Sequence, residues 1–205
     1  MRAAIDLADE QGIGAVTMRA VASRLDVEAM SLYNHVKNKD EILDGMVDLV
    51  VEEIDLPADT NNWREAMRCR AVSAHEAFAR HLWAPTLIDS RETSGPARLR
   101  YFDWVLGTLV RAGFSYEGAS RCFSVLDSYI YGFGRQQFNL SVEGISPEVM
   151  AEMFRAAVPP DQYPYLYRMA TEAMETGYDA EADFDFGLEI ILDGLENMLA
   201  AQGDA

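Results

Sequence analysis

Apolar residues recur along this chain at helical spacing, and no alternating pattern typical of strands interrupts them. In the N-terminal part, the pattern predicts four short helices: over 2–11, from Thr17 onward, over 28–35 and over 38–54. Thr17 and Asn38 are residue types that cap helix N-termini, and Glu41 follows Asn38 at the spacing of a capping box. Asp26-Val27 predicts a tight turn between the second and third helices.

The rest of the chain shows longer helical segments separated by proline and glycine. The stretch from Leu56 to Asn62 reads as a linker. Beyond it we predict helices over 63–81, 97–112, 116–139, 147–157, 163–176 and 183–201, with Pro85 in one of the breaks. The expected fold is all-α, with a three-helix domain over 1–45 and a larger helical domain over 46–205; 205 residues are enough for a proper core.

Two short helices joined by a tight turn, with another helix packed behind them, form the helix-turn-helix arrangement. A helix fits the major groove, so side chains near the start of the third helix would face base edges. These candidates are Glu28, Ala29, Met30, Ser31 and Asn34. Hydroxyl, imidazole and cationic groups suited to phosphate oxygens lie around them. They are Thr17, Arg19, Tyr33, His35, Lys37 and Lys39.

Simpler interpretations of these residues stay open at this point. Glu28 in a first turn also suits the helix dipole without touching a base. The whole unit could be a three-helix core with a solvated polar face.

The charge distribution changes the picture more than its sum does. The net charge is −17, whereas DNA-binding domains usually carry a basic patch. Between residues 17 and 39, however, four basic residues face two acidic ones. A locally positive surface on an acidic body is expected to bind phosphates yet bind random DNA weakly.

Several classes of protein are excluded by what the sequence does not contain. No apolar run approaches the roughly 20 residues of a membrane-spanning helix, and the first residues lack the apolar core of a signal peptide. The two cysteines, Cys69 and Cys122, are interpreted as buried free thiols in a reducing cytoplasm. Because phosphate loops, nucleophile elbows and metal-ligand spacings are missing, we expect no enzyme, no cofactor and no metal.

The run from Val16 to Leu43 resembles the TetR family of bacterial repressors. It contains the pattern T-x-R-x-V-A-x-x-L-x-V-x-x-x-x-L-Y-x-H-V-K-N-K from Thr17 to Lys39. The segment from Phe186 to Glu196 resembles the C-terminus of the tetracycline-repressor-like branch. The resemblance implies a homodimeric repressor that binds a pseudo-palindromic operator in double-stranded DNA and is released by a small-molecule effector.

Carried over position by position, the resemblance also implies contacts with phosphates or bases. The matching positions are Thr17, Met18, Arg19, Ala29, Met30, Ser31, Tyr33, His35 and Lys39. Ala29 and Met30 stand where the tetracycline repressor has more polar or rigid residues, so a different operator is expected. Family members usually carry a basic stretch before the first helix, which this sequence does not display.

Two apolar stripes have the spacing of a helix–helix seam. On the helices over 183–201 and 116–139 they consist of Phe184, Leu188, Ile191, Leu195, Ala119, Phe123, Leu126 and Ile130. The pattern alone is equally that of core within one chain. The resemblance implies that the two helices pair with those of a second copy.

The resemblance further implies an effector pocket in the larger domain. We expect aromatic and polar side chains to line it: Arg70, Ala74, Phe78, Tyr101, Trp104, Val105, Phe123 and Gln136. Arg70, Ala74 and Gln136 replace residues with which the tetracycline repressor holds tetracycline and Mg²⁺. We therefore expect an aromatic or amphipathic effector rather than tetracycline–Mg²⁺. A helical small-molecule-binding protein without DNA-binding activity is the alternative.

Overall fold

A computed structural model describes residues 1–58, 61–91, 95–140, 147–177 and 179–203. Within these ranges the chain forms eleven α-helices, a 3₁₀ turn at Ile13–Ala15 and no strand, so the all-α prediction is confirmed. The helices are α1 Arg2–Gln11, α2 Met18–Arg24, α3 Ala29–Leu32, α4 Lys39–Glu52, α5 Trp63–Arg80, α6 Ala84–Ser90, α7 Pro96–Arg111, α8 Tyr116–Leu140, α9 Pro147–Ala157, α10 Pro164–Thr176 and α11 Ala180–Gly203.

The two predicted caps of the N-terminal helices are confirmed. Thr17 Oγ1 accepts a hydrogen bond from the Ala20 amide at 3.1 Å, and Asn38 Oδ1 accepts from the Glu41 amide at 2.9 Å. Glu41 accepts from the Lys37 amide at 2.6 Å, one residue before the N-cap, so the pair resembles a capping box without its usual second bond. These local bonds fix where α2 and α4 begin.

The third helix is shorter than predicted. It ends at Leu32, and the residues up to His35 form turns whose amides bond to carbonyls three residues earlier, such as His35 to Leu32 at 2.9 Å. Before α3, Asp26 adopts a left-handed conformation with φ of 54°, and the Val27 amide returns to the Ala22 carbonyl at 3.0 Å. This tight turn orients α3 against α2.

Helix α6 was missed because Pro85 was interpreted as a break. In the structure Pro85 lies in the first turn of α6, where a helix needs no amide donor from that position. Residues 59 and 60 of the predicted linker lie outside the described residues.

The apolar stripes predicted for the dimer lie inside the protomer. Ala119, Leu126, Ile130, Phe184, Leu188 and Leu195 are all buried, while Phe123 and Ile191 are half-buried. The reason is that α8 packs on α11 within the chain, where Tyr129 Oη donates to the Phe184 carbonyl at 2.8 Å. A Cβ on Gly187 would lie 2.3 Å from that hydroxyl, so glycine permits this close approach. Six of these eight residues are therefore core of one chain, while Phe123 and Ile191 keep part of their surface exposed.

Two other expectations concern exposure. Cys122 is buried, but Cys69 lies on the exposed side of α5, so only one thiol is enclosed. Among the described helices, none combines the length and the apolar content that crossing a bilayer requires.

Candidate functional site

The N-terminal helices carry many exposed side chains on and around α3. Leu32 is buried and anchors α3 to the core, whereas Met30 is 75% exposed and Tyr33 49% exposed. Most residues expected to touch DNA share this exposure: Thr17, Arg19, Glu28, Met30, Tyr33, Asn34, His35, Lys37 and Lys39. Met18, Ala29 and Ser31 are half-buried. We call this set of twelve residues the reading face.

Two side chains of this region are engaged within the protein. Ser31 Oγ donates to the Glu28 carbonyl at 2.7 Å, which leaves its oxygen able to accept from a base. Arg24 forms a bidentate pair with Glu10 of α1, with one N–O distance of 2.6 Å, and this hydrogen bond lowers the pKa of Glu10. The local positive charge of the face therefore comes from Arg19, Lys37 and Lys39.

A cavity of about 420 Å³ opens between α6, α7 and α8. Its lining combines three aromatic rings with charged side chains: Phe102, Phe123, Tyr131, Asp127, Arg98, Arg135 and Asp89. Of the residues expected to form the pocket, Phe123 lies in this cavity. The others lie elsewhere, and for five of them the reason is that α5 and α7 turn the side chains into the core.

The placement of those other residues is clear from their burial. Arg70, Ala74, Phe78, Tyr101 and Val105 are buried. Trp104 is half-buried and its Nε1 donates to the Pro57 carbonyl at 3.2 Å, while Gln136 is exposed on α8.

A buried charged cluster lies behind the cavity. Arg70 Nη1 donates to Asp127 Oδ1 at 2.8 Å and to Tyr101 Oη at 2.6 Å, and Tyr101 Oη donates to the same Asp127 oxygen at 3.1 Å. Burial opposes the charge of Arg70, but its neighbours Tyr101 and Asp127 outweigh burial and raise its pKa. Burial also raises the pKa of Tyr101 well above its usual value, so Tyr101 is a neutral hydrogen-bond donor.

This cluster leaves polar atoms without partners. Among the described residues, Asp127 Oδ2 and the Nε and Nη2 groups of Arg70 are buried and form no hydrogen bond. Each such atom costs free energy, so a site of this kind points to a missing partner. Asp127 also lines the cavity, whereas Arg70 lies behind it and is fully buried.

One face of α4 is acidic and holds the helices that border the cavity. Arg91, which follows α6, pairs with Asp44 at 2.6 Å and with Asp40 at 2.9 Å. Asp48 accepts from the amides of Ala97 and Arg98 at 3.2 and 3.0 Å, and so caps the N-terminus of α7. These contacts attach the end of α6 and the start of α7 to α4.

A second connection joins α1 to the C-terminal end of α5. Asp9 accepts from Trp83 Nε1 at 2.7 Å and lies 2.9 Å from His81 Nδ1. On its other side, His81 Nε2 lies 3.4 Å from Glu53. The first helix is thus bound directly to the larger domain, at a point that also contacts the C-terminal end of α4.

The sequence interpretation missed Asp127, Arg98 and Phe102 as cavity residues. Asp127 carried a usable signal, because it lies between Leu126 and Ile130 on a predicted apolar face. The other two could not be found, since their contact with α8 depends on how α7 packs. Within the described ranges, no three histidine, cysteine or acidic side chains come together as metal ligands would.

Comparisons with known proteins agree with this geometry. Residues 1–46 match the family model of bacterial regulatory proteins of the tetR family, and residues 56–199 match that of the tetracyclin repressor-like C-terminal domain. The HTH-type transcriptional repressor DrrR1 of Streptomyces coeruleorubidus is 31% identical over 98% of this chain and 77% of its own length. The class D tetracycline repressor protein of Escherichia coli is 30% identical over 97% of this chain and 88% of its own.

A solved structure shares the arrangement of helices. The Streptomyces coelicolor protein ActR, in complex with actinorhodin, superposes with a TM-score of 0.78 and 27% identity, over 95% of this chain and 92% of that one.

Proposed function

The chain belongs to the TetR family and is a ligand-responsive transcriptional repressor, and from this premise we propose how it binds and releases its operator. The reading face enters the major groove, with α3 at its centre. Met30, Ser31 and Asn34 read base edges, and Arg19, Tyr33 and Lys39 hold phosphates. The exposure of these side chains on one surface supports the assignment.

We propose that the protein acts as a homodimer in the cytoplasm. The exposed apolar residues of α8 and α11 support this, since Val125 is 48%, Phe186 71% and Ile190 58% exposed. They lie on the sides of the two helices that face away from the intrachain core. Two-fold symmetry then requires a pseudo-palindromic operator with half-sites about 34–36 Å apart.

The effector is a small molecule that binds in the cavity between α6, α7 and α8. Binding there shifts α6 and α7, and the ion pairs of Asp40 and Asp44 with Arg91, together with the Asp48 cap of α7, pass the shift to α4. A change in the tilt of α4 alters the separation of the two reading faces, so the dimer no longer fits successive grooves. By linkage, operator DNA weakens effector binding by the same factor.

The observation that carries this proposal is the double attachment of α4. Its buried residues Met46, Val47 and Val50 belong to the core. It packs on α1 of the N-terminal domain and on α7 of the larger domain. We place the division between the domains at residues 45 and 46, within α4. The same helix therefore belongs to both and couples them.

The test is a fluorescence-anisotropy titration against labelled DNA from upstream of the gene, at several salt concentrations. Lys39→Ala should weaken binding to all sequences and reduce the slope of log affinity against log salt by about 1, because one phosphate contact is lost. Arg168→Ala, an exposed residue of α10 paired with Glu172, is the matched control and should leave both unchanged.

The main alternative is a helical small-molecule-binding protein that does not bind DNA. It predicts no saturable binding to any upstream fragment, even at low salt. That result, with the protein folded and dimeric, would remove the proposed mechanism.

A further inference from the structure

The cavity between α6, α7 and α8 has walls suited to a flat aromatic molecule. Phe102 and Phe123 meet edge to face with ring centroids 5.3 Å apart, and Tyr131 lies on the same helix as Phe123. A volume of about 420 Å³ is in the range of small-molecule pockets, which are mostly apolar with a few polar groups that fix orientation. Fused aromatic rings match these walls better than a flexible chain.

The inner end of the cavity requires a hydrogen-bond donor that carries no charge. Asp127 Oδ2 is buried and has no partner among the described residues, although Oδ1 accepts two hydrogen bonds. The charge of Asp127 is already balanced by Arg70, so an ammonium group there would be a buried, unpaired charge. A hydroxyl group supplies the missing hydrogen bond without that cost.

The outer end carries an excess of positive charge. Arg98 and Arg135 line the rim together with one acid, Asp89. Arg135 lies 3.6 Å from Asp89, and both side chains are more than half exposed, so this pair is weak and can open. The guanidinium of Arg98 lies 5.4 Å from the centroid of Phe102, at the edge of the aromatic wall. Arg98 Nη1 also donates to the Arg91 carbonyl at 3.2 Å. An acidic group at this end of a ligand would be attracted by the charges of both arginines.

We infer that the effector is a planar aromatic hydroxy acid whose hydroxyl donates to Asp127 Oδ2 and whose carboxylate lies at the rim beside Arg98 and Arg135. The inference rests on the proposed function for the role of the cavity, but it specifies the chemistry of the ligand separately. Because Arg98 is also the residue whose amide is capped by Asp48, the carboxylate binds beside the connection to α4.

The first experiment uses isothermal titration calorimetry of the full-length protein with matched probes. The reference probe is a hydroxynaphthoic acid with its hydroxyl and carboxylate at opposite ends of the two rings. Replacing the hydroxyl by methoxy removes the donor and should weaken binding by about tenfold or more, as expected for a hydrogen bond to a charged group. The naphthol without carboxylate should bind roughly two- to fivefold more weakly.

Variants then locate the site. A Cβ on Gly132 meets no atom within 4 Å, so Gly132→Leu should fill the cavity without disturbing the fold and abolish binding of the reference probe. Arg135→Gln should weaken the acid roughly two- to fivefold and leave the naphthol unchanged. Arg121→Gln is the matched control, because Arg121 is an exposed residue of the same helix paired with Glu117 and does not line the cavity.

The outcomes separate this inference from the proposed function. Equal affinity for the hydroxy and methoxy acids, tighter binding of an analogue with a protonated aminomethyl group in place of the hydroxyl, or full binding by Gly132→Leu would each overturn the inference while operator binding stands. Loss of operator binding by the wild-type protein would overturn the function instead, and the probe affinities would still report on the cavity. Circular dichroism and sedimentation of each variant confirm that it remains folded and dimeric.

Discussion

The reading face and the buried charged cluster behind the cavity are both polar, but they are built in opposite ways. The reading face takes most of its residues from one short stretch, 28–39, and nine of its twelve residues are exposed. The buried charged cluster joins Arg70, Tyr101 and Asp127. Arg70 is separated from its two partners by 31 and 57 positions along the sequence, and all three residues are buried. Exposed groups can serve binding without affecting stability, whereas buried charges contribute to both.

The largest expected effect tests the buried side of this comparison. Arg70→Met removes the partner of Asp127 and leaves a buried, uncompensated carboxylate, so the free energy of unfolding should fall by about 3–5 kcal/mol. Urea denaturation followed by circular dichroism measures it. The pair Arg70→Met and Asp127→Leu together should recover most of the loss, because no buried charge remains. A double variant as unstable as the single one would contradict this explanation.

The next effect tests the exposed side. Arg19→Ala should weaken operator binding by about tenfold or more, as for loss of one hydrogen bond to a charged group, in an anisotropy titration. The free energy of unfolding should stay within about 0.5 kcal/mol of the wild type, as for other surface substitutions. A larger loss of stability would show that the reading face is not separable from the fold.

A third prediction concerns the connection between the two regions. Asp48→Ala removes the cap that accepts from the Ala97 and Arg98 amides, which should cost about 1 kcal/mol of stability. It should also reduce the release of operator by an effector, while affinity for DNA without effector changes little. Arg100→Ala serves as control. The ion pair between Arg100 of α7 and Glu52 of α4 joins the same two helices, but both of its side chains are exposed. Unchanged release in Asp48→Ala would exclude this route.

The smallest effect is a pH dependence of stability. His75 stacks on Phe184 with centroids 4.2 Å apart, and burial lowers its pKa, against the opposing influence of Glu181, Glu76 and Asp185. Because the unfolded chain then binds a proton more readily than the folded one, stability should fall as pH drops through about 6.5. His75→Phe keeps the stacked ring. It should reduce the loss in the free energy of unfolding over this pH range by less than about 1 kcal/mol, as measured by urea denaturation. An identical slope in both proteins would exclude His75 as the source.

The features that the sequence predicted correctly are those that depend on residues close together in the chain. The caps at Thr17 and Asn38 and the turn at Asp26 depend on neighbours within a few residues, so the sequence identified them. Helix α6 was missed because a proline looks the same in a first turn and in a break. The stripes on α8 and α11 were correctly periodic, but periodicity does not say whether the partner helix belongs to the same chain.

The sequence by itself determined the helical class and the turn before α3, because both arise from short-range hydrogen bonds, and it predicted the residues of the reading face from residue types in one stretch. Tertiary structure alone decided that Arg70 pairs with Asp127 instead of facing a ligand, and that Phe102, Phe123 and Tyr131 surround one cavity. Those contacts depend on the packing of α5, α7 and α8, which sets which side of each helix is turned inward. A helical repeat fixes which residues share a side, but only the assembled core fixes what that side meets.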